Sequence, residues 1–472
     1  MDFLDPILER LITVQRPKKA LPLSTRLMWT ALAALVYIIM TITPLWGIHR
    51  TTPTGAAASI FYNPLVSTIF GTTFGTWAQL GIGPIVVAGI IMEILLQFSE
   101  LLPFDLEDKK DRLRFSAFQK LLALVMAAGE TAATIATGTF GQLTPLEAFA
   151  VFVQLLIATQ IVILLDDMIA KGWGFGGSAI NLIILLSITR TFFVDLFSWN
   201  MPTFPNVNPA DYPAMQLPLG FVPALAVAVY NTLHGASPGL LDLLFRQVPP
   251  SISLPDVVGL AATLVLAYIL VYIEQMHVNI PAAYTQYWGF RINIPLRFMY
   301  VSVIPIIFTA YSLILAEQLV AGVAALTGGI SPTLAVLLTA MTPARILTPD
   351  YVVLHILLYV ALATAFAWLW GQIGGIGPDE YAKSLTQSGL HVPGFRQSER
   401  IMARVLRRPI NTLILLSGMV AGTLAAVGDI FGVWGSGIGL ILLIEIGLGY
   451  YTQILQEGLM EAYPGLKRVL SQ

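Results

Sequence analysis

The strongest constraint on this chain is a recurring apolar stretch about 20 residues long, the length a helix needs to cross the hydrocarbon core of a bilayer. Ten such stretches follow one another, at 25–47, 79–99, 116–138, 147–169, 178–197, 254–275, 298–319, 351–371, 409–428 and 437–455. Composition agrees. Of 472 residues, 56% are hydrophobic and 11% charged, against about 25% charged in soluble domains. In lipid every backbone polar group must be satisfied internally, and runs this long do so as helices. The expected fold class is an all-α polytopic membrane protein with ten transmembrane helices.

Most of the 25 Lys and Arg residues fall on one side if the N-terminus is cytosolic. They cluster before the first span (Arg10, Arg16, Lys18, Lys19), between the second and third (Lys109, Lys110, Arg112, Arg114) and after the eighth (Arg396, Arg400, Arg404, Arg407, Arg408). The positive-inside rule then places both termini in the cytosol. Met1 to Leu23 has no long apolar core and reads as an amphipathic cytosolic helix ended by Pro17 and Pro22, not as a cleavable signal. A net charge of −2 gives no bias towards nucleic acid, and the absence of cysteine excludes disulfides, thiolate catalysis and Cys-ligated metal.

The second stretch breaks the pattern. Leu80 to Gln97 carries Gly81, Gly83, Pro84 and Gly89. Pro84 lacks a backbone donor, and a membrane tolerates such a break beside protein or a water-filled cavity. Ser302 to Ala310 echoes it, with Ile304-Pro305-Ile306-Ile307 matching Gly83-Pro84-Ile85-Val86. The fifth and tenth stretches also match, Gly177-Ser178-Ala179-Ile180 onward against Gly435-Ser436-Gly437-Ile438 onward. Five spans per half is an odd number, so a repeated half must be inverted. The expected domains are an N-terminal half (1–199), an external connection or hinge (200–252) with an apolar helix near Val222 to Leu233, and a C-terminal half (253–472). Thr54 to Phe74 reads either as a re-entrant segment or as an ordinary external loop.

Little chemistry is present. There is no GxxxxGK[ST] loop and no HExxH, and His49, His234, His277, His355 and His391 have no ligand spacing. No nucleophile and base pair up, so no enzyme, cofactor or metal site is expected. Glu93, Glu130 and Glu445 lie inside spans, where ionisable groups mark ion pathways or helix contacts. An ion-coupled secondary transporter would lose uptake when they are mutated, whereas a structural scaffold would survive polar substitution of its aliphatic residues. Ile82 and Val86 lie four apart, as do Ile180 and Ile184. Ile307 and Leu442 occupy repeat-equivalent places. Such residues face lipid or packing unless they form a constriction that blocks ions by dewetting. The charged segment 374–409 is a solvated or headgroup face, or a dock for an acidic partner such as ribosomal RNA.

Short motifs in order along the chain carry a resemblance. They are Trp29-Thr30, Leu80-Gly81-Ile82-Gly83-Pro84-Ile85-Val86, Gln119-Lys120-Leu121, Lys171-Gly172-Trp173-Gly174-Phe175-Gly176, Tyr300-Val301-Ser302-Val303-Ile304-Pro305 and Gly394-Phe395-Arg396. With this topology the chain resembles the SecY family, the channel subunits of the Sec protein translocon, in its archaeal and eukaryotic branch. The resemblance implies an hourglass pore between two inverted five-helix halves in the plasma membrane. It implies a ring of Ile82, Val86, Ile180, Ile184, Ile307 and Leu442, and a plug helix at about 57–70 with Ile60, Phe61, Leu65 and Ile69. It implies a lateral gate between spans 2–3 and 7–8, with Val87, Glu130 and Val303, and docking through Arg291, Arg396 and Arg400. The implied partners are a SecE-type gamma subunit, a small beta subunit, the ribosome, signal sequences, nascent polypeptides and membrane lipid. The sequence departs from the family at Val87 and Val303, where gates often hold Thr and Asn. Ala283, Gln286 and Trp288 replace basic residues of the loop between spans 6 and 7.

Overall fold

The structure is a computed structural model that describes residues 12–19, 21–48, 64–97, 108–202, 212–248, 252–284, 291–301, 303–327, 336, 340–341, 349–388, 390–391 and 398–462. Among them the helices are α1 (Leu23–Ile42), α2 (Pro64–Ile69), α3 (Gly83–Gln97), α4 (Lys109–Ala136), α5 (Pro145–Ala170), α6 (Ala179–Phe197), α7 (Phe221–Leu233), α8 (Val257–Glu274), α9 (Val303–Thr327), α10 (Pro349–Ile373), α11 (Pro378–Gln387), α12 (Glu399–Ile430) and α13 (Gly437–Ala462). Among the described residues each of the ten apolar stretches overlaps one of these helices. Seven of the helices, α1, α5, α6, α8, α10, α12 and α13, are long and apolar enough to cross a membrane. The chain is a multi-pass helical membrane protein.

Two small sheets accompany the helices. Strands β1 (Gln247–Val248) and β2 (Ile252–Ser253) pair antiparallel; β3 (His277–Tyr284), β4 (Arg291–Arg297) and β5 (Leu390–His391) form a sheet in the order β4-β3-β5. The helical reading therefore needs these strands added in its connections. Three other expectations change. Residues 12–16, expected to end an amphipathic helix, are not helical. The charged segment 374–409 contains α11, and α12 begins at Glu399, with Pro409 inside it. Pro84 does not interrupt α3 but occupies its second position, where the missing N–H has no intrahelical partner to lose.

The chain divides into two compact units. One comprises Met1–Arg190, Gln318–Gly329 and Ile446–Gln472, the other Thr191–Glu317 and Ile330–Glu445.

In the first unit, α5 starts with a reciprocal cap: the Thr144 N–H donates to Glu147 Oε2 (2.8 Å) and the Glu147 N–H to Thr144 Oγ1 (3.4 Å). The loop after α5 is a junction. Asp167 accepts from Lys120 of α4 and Lys171, both at 2.7 Å, and from the Val14 N–H at 2.8 Å. Trp173 Nε1 donates to the Gln15 carbonyl (2.7 Å). Arg26 of α1 donates to the Gly174 carbonyl (3.1 Å) and pairs with Glu457 of α13 (2.7 Å). Asp167 and the Lys171–Gly176 motif thus fasten the N-terminal segment, α1, α4 and the end of α13 together.

In the second unit, α10 and α12 pack closely through small residues. A Cβ at Gly418 would lie 2.7 Å from Ala367 Cβ, and one at Gly422 would lie 2.7 Å from the Tyr359 carbonyl. Helices in lipid associate through such backbone approach. The segment before α8 is built on Arg246, whose side chain is fully buried. Its guanidinium donates to the carbonyls of Ala214, Leu217, Pro218, Leu219 and Pro255 at 2.8–3.3 Å. Burial pulls it down to about 10, opposed in part by the Asp256 carboxylate. Asp256 Oδ1 in turn accepts the Gly259 N–H (2.6 Å) and caps α8.

Candidate functional site

Two of the residues read from the sequence, Ile82 and Val86, lie where α3 begins. The chain leaves α2 at Phe70, turns through 71–82, and enters α3 at Gly83. Ile82 sits just outside the helix, yet its carbonyl accepts the N–H groups of Ile85 and Val86, both at 3.1 Å. Ile82 and Val86 therefore remain one helical turn apart. The turn is fixed at two glycines. Gly81 has φ +54, and a side chain there would overlap the Phe70 carbonyl. The Ile82 N–H donates to that same carbonyl (3.0 Å), tying the end of α2 to the start of α3. Gly71 has φ +69. Its carbonyl accepts the Tyr37 hydroxyl of α1 (2.8 Å), and a Cβ there would lie 2.7 Å from Ser187 Oγ and 3.0 Å from Ile183 Cγ2 of α6. Arg190 of α6 donates to Thr73 Oγ1 (2.9 Å).

In the first unit Ile82 and Ile184 are fully buried, Val86 is buried and Ile180 is half-buried. Of the residues expected to form a plug, Ile69 is fully buried in α2. Leu65 lies on the backbone of α2, and Ile60 and Phe61 fall outside the described residues. Of the residues expected at a lateral gate, Val87 is buried on α3. Glu130 of α4 lies against the start of α3, 3.9 Å from where a Cβ at Gly83 would be. One turn and a half further on, a Cβ at Gly89 would lie 3.2 Å from Gln119 Nε2. Glycines on α3 thus admit two polar side chains of α4. Glu93 is half-buried on α3.

In the second unit Ile307 of α9 is buried and Leu442 of α13 is fully buried. Val303 is the first residue of α9, and its N–H donates to the carboxylate of Glu445 on α13. A helix start has unsatisfied N–H groups, and here a neighbouring helix supplies the acceptor. Arg291 begins β4 and Arg400 is exposed on the first turn of α12; Arg396 lies outside the described residues.

Sequence reasoning missed the β3–β4 hairpin. The signal was present: both strands carry Asn-Ile-Pro and alternate apolar and polar residues, and Ile280 pairs with Ile294. It also missed the Arg246 cage, for which no local pattern exists, because all five acceptors are backbone carbonyls. Among the described residues no group of His, Asp and Glu is arranged to hold a metal.

The chain is a helical, multi-pass membrane protein with the aliphatic Ile82 fully buried where α3 begins, an architecture open to membrane channels and transporters. The SecY family model matches residues 76–451, so the chain belongs to the SecY family. The protein translocase subunit SecY of Saccharolobus solfataricus is 33% identical, with 100% of each chain covered. A solved structure described as that of a protein conducting channel superposes with a TM-score of 0.75 at 26% identity, covering 98% of each chain. Sec61 in the canine ribosome-channel complex from the endoplasmic reticulum gives 0.73 at 26% identity, also over 98% of each chain. These neighbours favour the channel reading over a small-solute transporter.

Proposed function

We propose that the chain is a protein-conducting channel, which passes unfolded secretory polypeptides across the membrane and releases transmembrane segments sideways into lipid. It catalyses no covalent reaction; the partner that feeds the polypeptide supplies the drive. Ten helices cross the plasma membrane as two inverted halves, 1–199 and 253–472, with both termini cytosolic.

The observation that carries this reading within the SecY family is the aliphatic set Ile82, Val86, Ile180, Ile184, Ile307 and Leu442. Five of the six are buried and none offers a polar atom. Aliphatic side chains make no directional bonds, so a constriction lined by them grips any sequence loosely and denies ions a hydrated path when empty. The segment 57–70 is the plug, and the Phe70–Ile82 hydrogen bond makes its far end move with the start of α3. Val87, Glu130 and Val303 belong to the lateral gate. A segment leaving through it gains roughly 0.3–0.6 kcal/mol per central Leu or Ile, and summed over a helix this selects lipid over the pore. Val87 and Val303 place apolar side chains at the gate, which closes without stranding polar groups. Arg291, Arg396 and Arg400 dock the ribosome, and a SecE-type gamma subunit and a small beta subunit complete the complex.

The chain has no native cysteine, so single cysteines at Ile82, Ile184 and Ile307 are unique reporters. A secretory polypeptide carrying one cysteine is stalled in the channel and the sample is oxidised. Disulfide adducts are expected at all three positions. Adducts at none of them contradict the proposal.

A further inference from the structure

The channel reading makes no use of α7. This helix has 13 residues, or about 20 Å at 1.5 Å per residue, too short to span a bilayer. Its inner face is small: Pro223, Ala224 and Ala228 are buried, and the alanines pack with Leu217 and Leu243. Its outer stripe is Val222, Leu225, Ala226, Val229, Tyr230 and Leu233, all exposed. These stand at i, i+3, i+4, i+7, i+8 and i+11, the spacing of one helical face. The helix contains no charged residue. A helix lying against water carries polar and charged residues on that face. Leu241 and Phe245, just beyond, are exposed as well.

The level of α7 relative to a bilayer follows from its attachments. Gly220, the residue that caps it, donates to the Ser198 carbonyl (2.8 Å), and Leu219 donates to the Asn200 carbonyl (2.7 Å). Both acceptors lie within three residues of Phe197, where α6 ends. A side chain at Gly220 would overlap the Ser198 backbone. On its inner side, Val257, the first residue of α8, packs on the α7 core. Helices α6 and α8 are both long and apolar enough to cross the membrane. Helix α7 is therefore fastened at the level where one span ends and the next begins. The exposed aromatic surface of α6, Phe193 and Phe197, runs up to Trp199 at the same level. Trp199 and Tyr230 are 70% and 62% exposed, and Trp and Tyr settle at the headgroup level of membranes.

We infer that α7 is an interfacial helix, its outer stripe sunk in the boundary between headgroups and acyl chains on the side where α6 ends. The occupant of this face is lipid, continuous with the lipid-facing surface of α6. Helices drawn to anionic lipid carry Lys and Arg beside their apolar face. α7 has neither, so its seating is independent of headgroup charge. The inference needs only a chain embedded in a membrane; it stands or falls apart from the channel reading.

The test uses the full chain in phosphatidylcholine vesicles, with a nitroxide on a single cysteine at Leu225, Val229 or Leu233. Ala236, exposed in the turn after α7, is the aqueous reference. Collision with oxygen reports lipid, and collision with a water-soluble nickel chelate reports solvent. The three helix positions should lose nickel accessibility and gain oxygen accessibility relative to Ala236. Adding phosphatidylglycerol should leave the pattern unchanged. Nickel accessibility equal to that of Ala236 at all three positions would overturn the inference. Positions open to nickel in vesicles but shielded in native membranes would overturn it too, by assigning the face to a protein partner.

Discussion

Two helix joints begin the following helix in the same way and differ in what surrounds the cap. At the α5–α6 joint, Asp166 in the last turns of α5 accepts the Ala179 N–H (2.8 Å) and the Ser178 hydroxyl (2.7 Å). At the α12–α13 joint, Asp429 accepts the Gly437 N–H (2.6 Å), and Ser436 Oγ accepts the Gly439 N–H (3.0 Å). Gly177 and Gly435 both have φ +77. These are the two Gly-Ser stretches that match in the sequence. The second oxygen marks the difference. Asp429 Oδ2 lies 3.8 Å from Nε2 of His355, with both side chains fully buried. The His355 ring lies 4.3 Å from that of Tyr359, and its Nδ1 lies 2.7 Å from the Ala340 carbonyl. A carbonyl only accepts, so Nδ1 carries the hydrogen. Both joints need an acceptor for free N–H groups at a helix start, and both find it in the preceding helix. What packs behind that acceptor is set by other elements and has diverged. The recurrence supports the proposed internal repeat.

The comparison can be broken at the acids. Asp429→Ala removes the cap of α13, about 0.5–2 kcal/mol, and also takes the carboxylate away from the fully buried His355, where leaving a buried polar group without its neighbour costs about 1–3 kcal/mol more. Thermal unfolding of the purified chain should register it as the largest single effect at either joint. His355→Leu in the Asp429→Ala background should recover part of the loss, because it removes the stranded group. Asp166→Ala removes a cap alone and should cost about 0.5–2 kcal/mol in the same assay. Equal losses at the two acids would mean that His355 adds nothing, and the distinction between the joints would disappear.

Much of this was legible in advance, for a physical reason. Burial in lipid imposes a length and a composition on every span, so the apolar stretches pointed to helices, and among the described residues seven helices are long and apolar enough to cross a membrane. Gly81 and Pro84 announced a break in the second stretch; the fold instead puts both at the entry to α3, and only there is it visible that Gly81 makes room for the Phe70 carbonyl. The first turns of α12 were hidden because Arg400, Arg404, Arg407 and Arg408 read as a solvated or headgroup face that ran to Pro409. Once past the membrane, a helix no longer needs an apolar surface, and hydropathy loses sight of it. The Arg246 cage was hidden more deeply. A lone Arg in a proline-rich connection says nothing of five carbonyls gathered from segments 9 to 32 residues away.

The proposed seal has its own test. Ion conductance is measured across vesicles or planar bilayers holding the chain with a polypeptide stalled inside it. The wild-type ring should remain tight to ions around the stalled polypeptide. Replacing Ile82, Ile184 and Ile307 together by Ser should let ions leak, because a polar ring stays hydrated. A triple variant as tight as the wild type would contradict the assignment of these residues to the constriction.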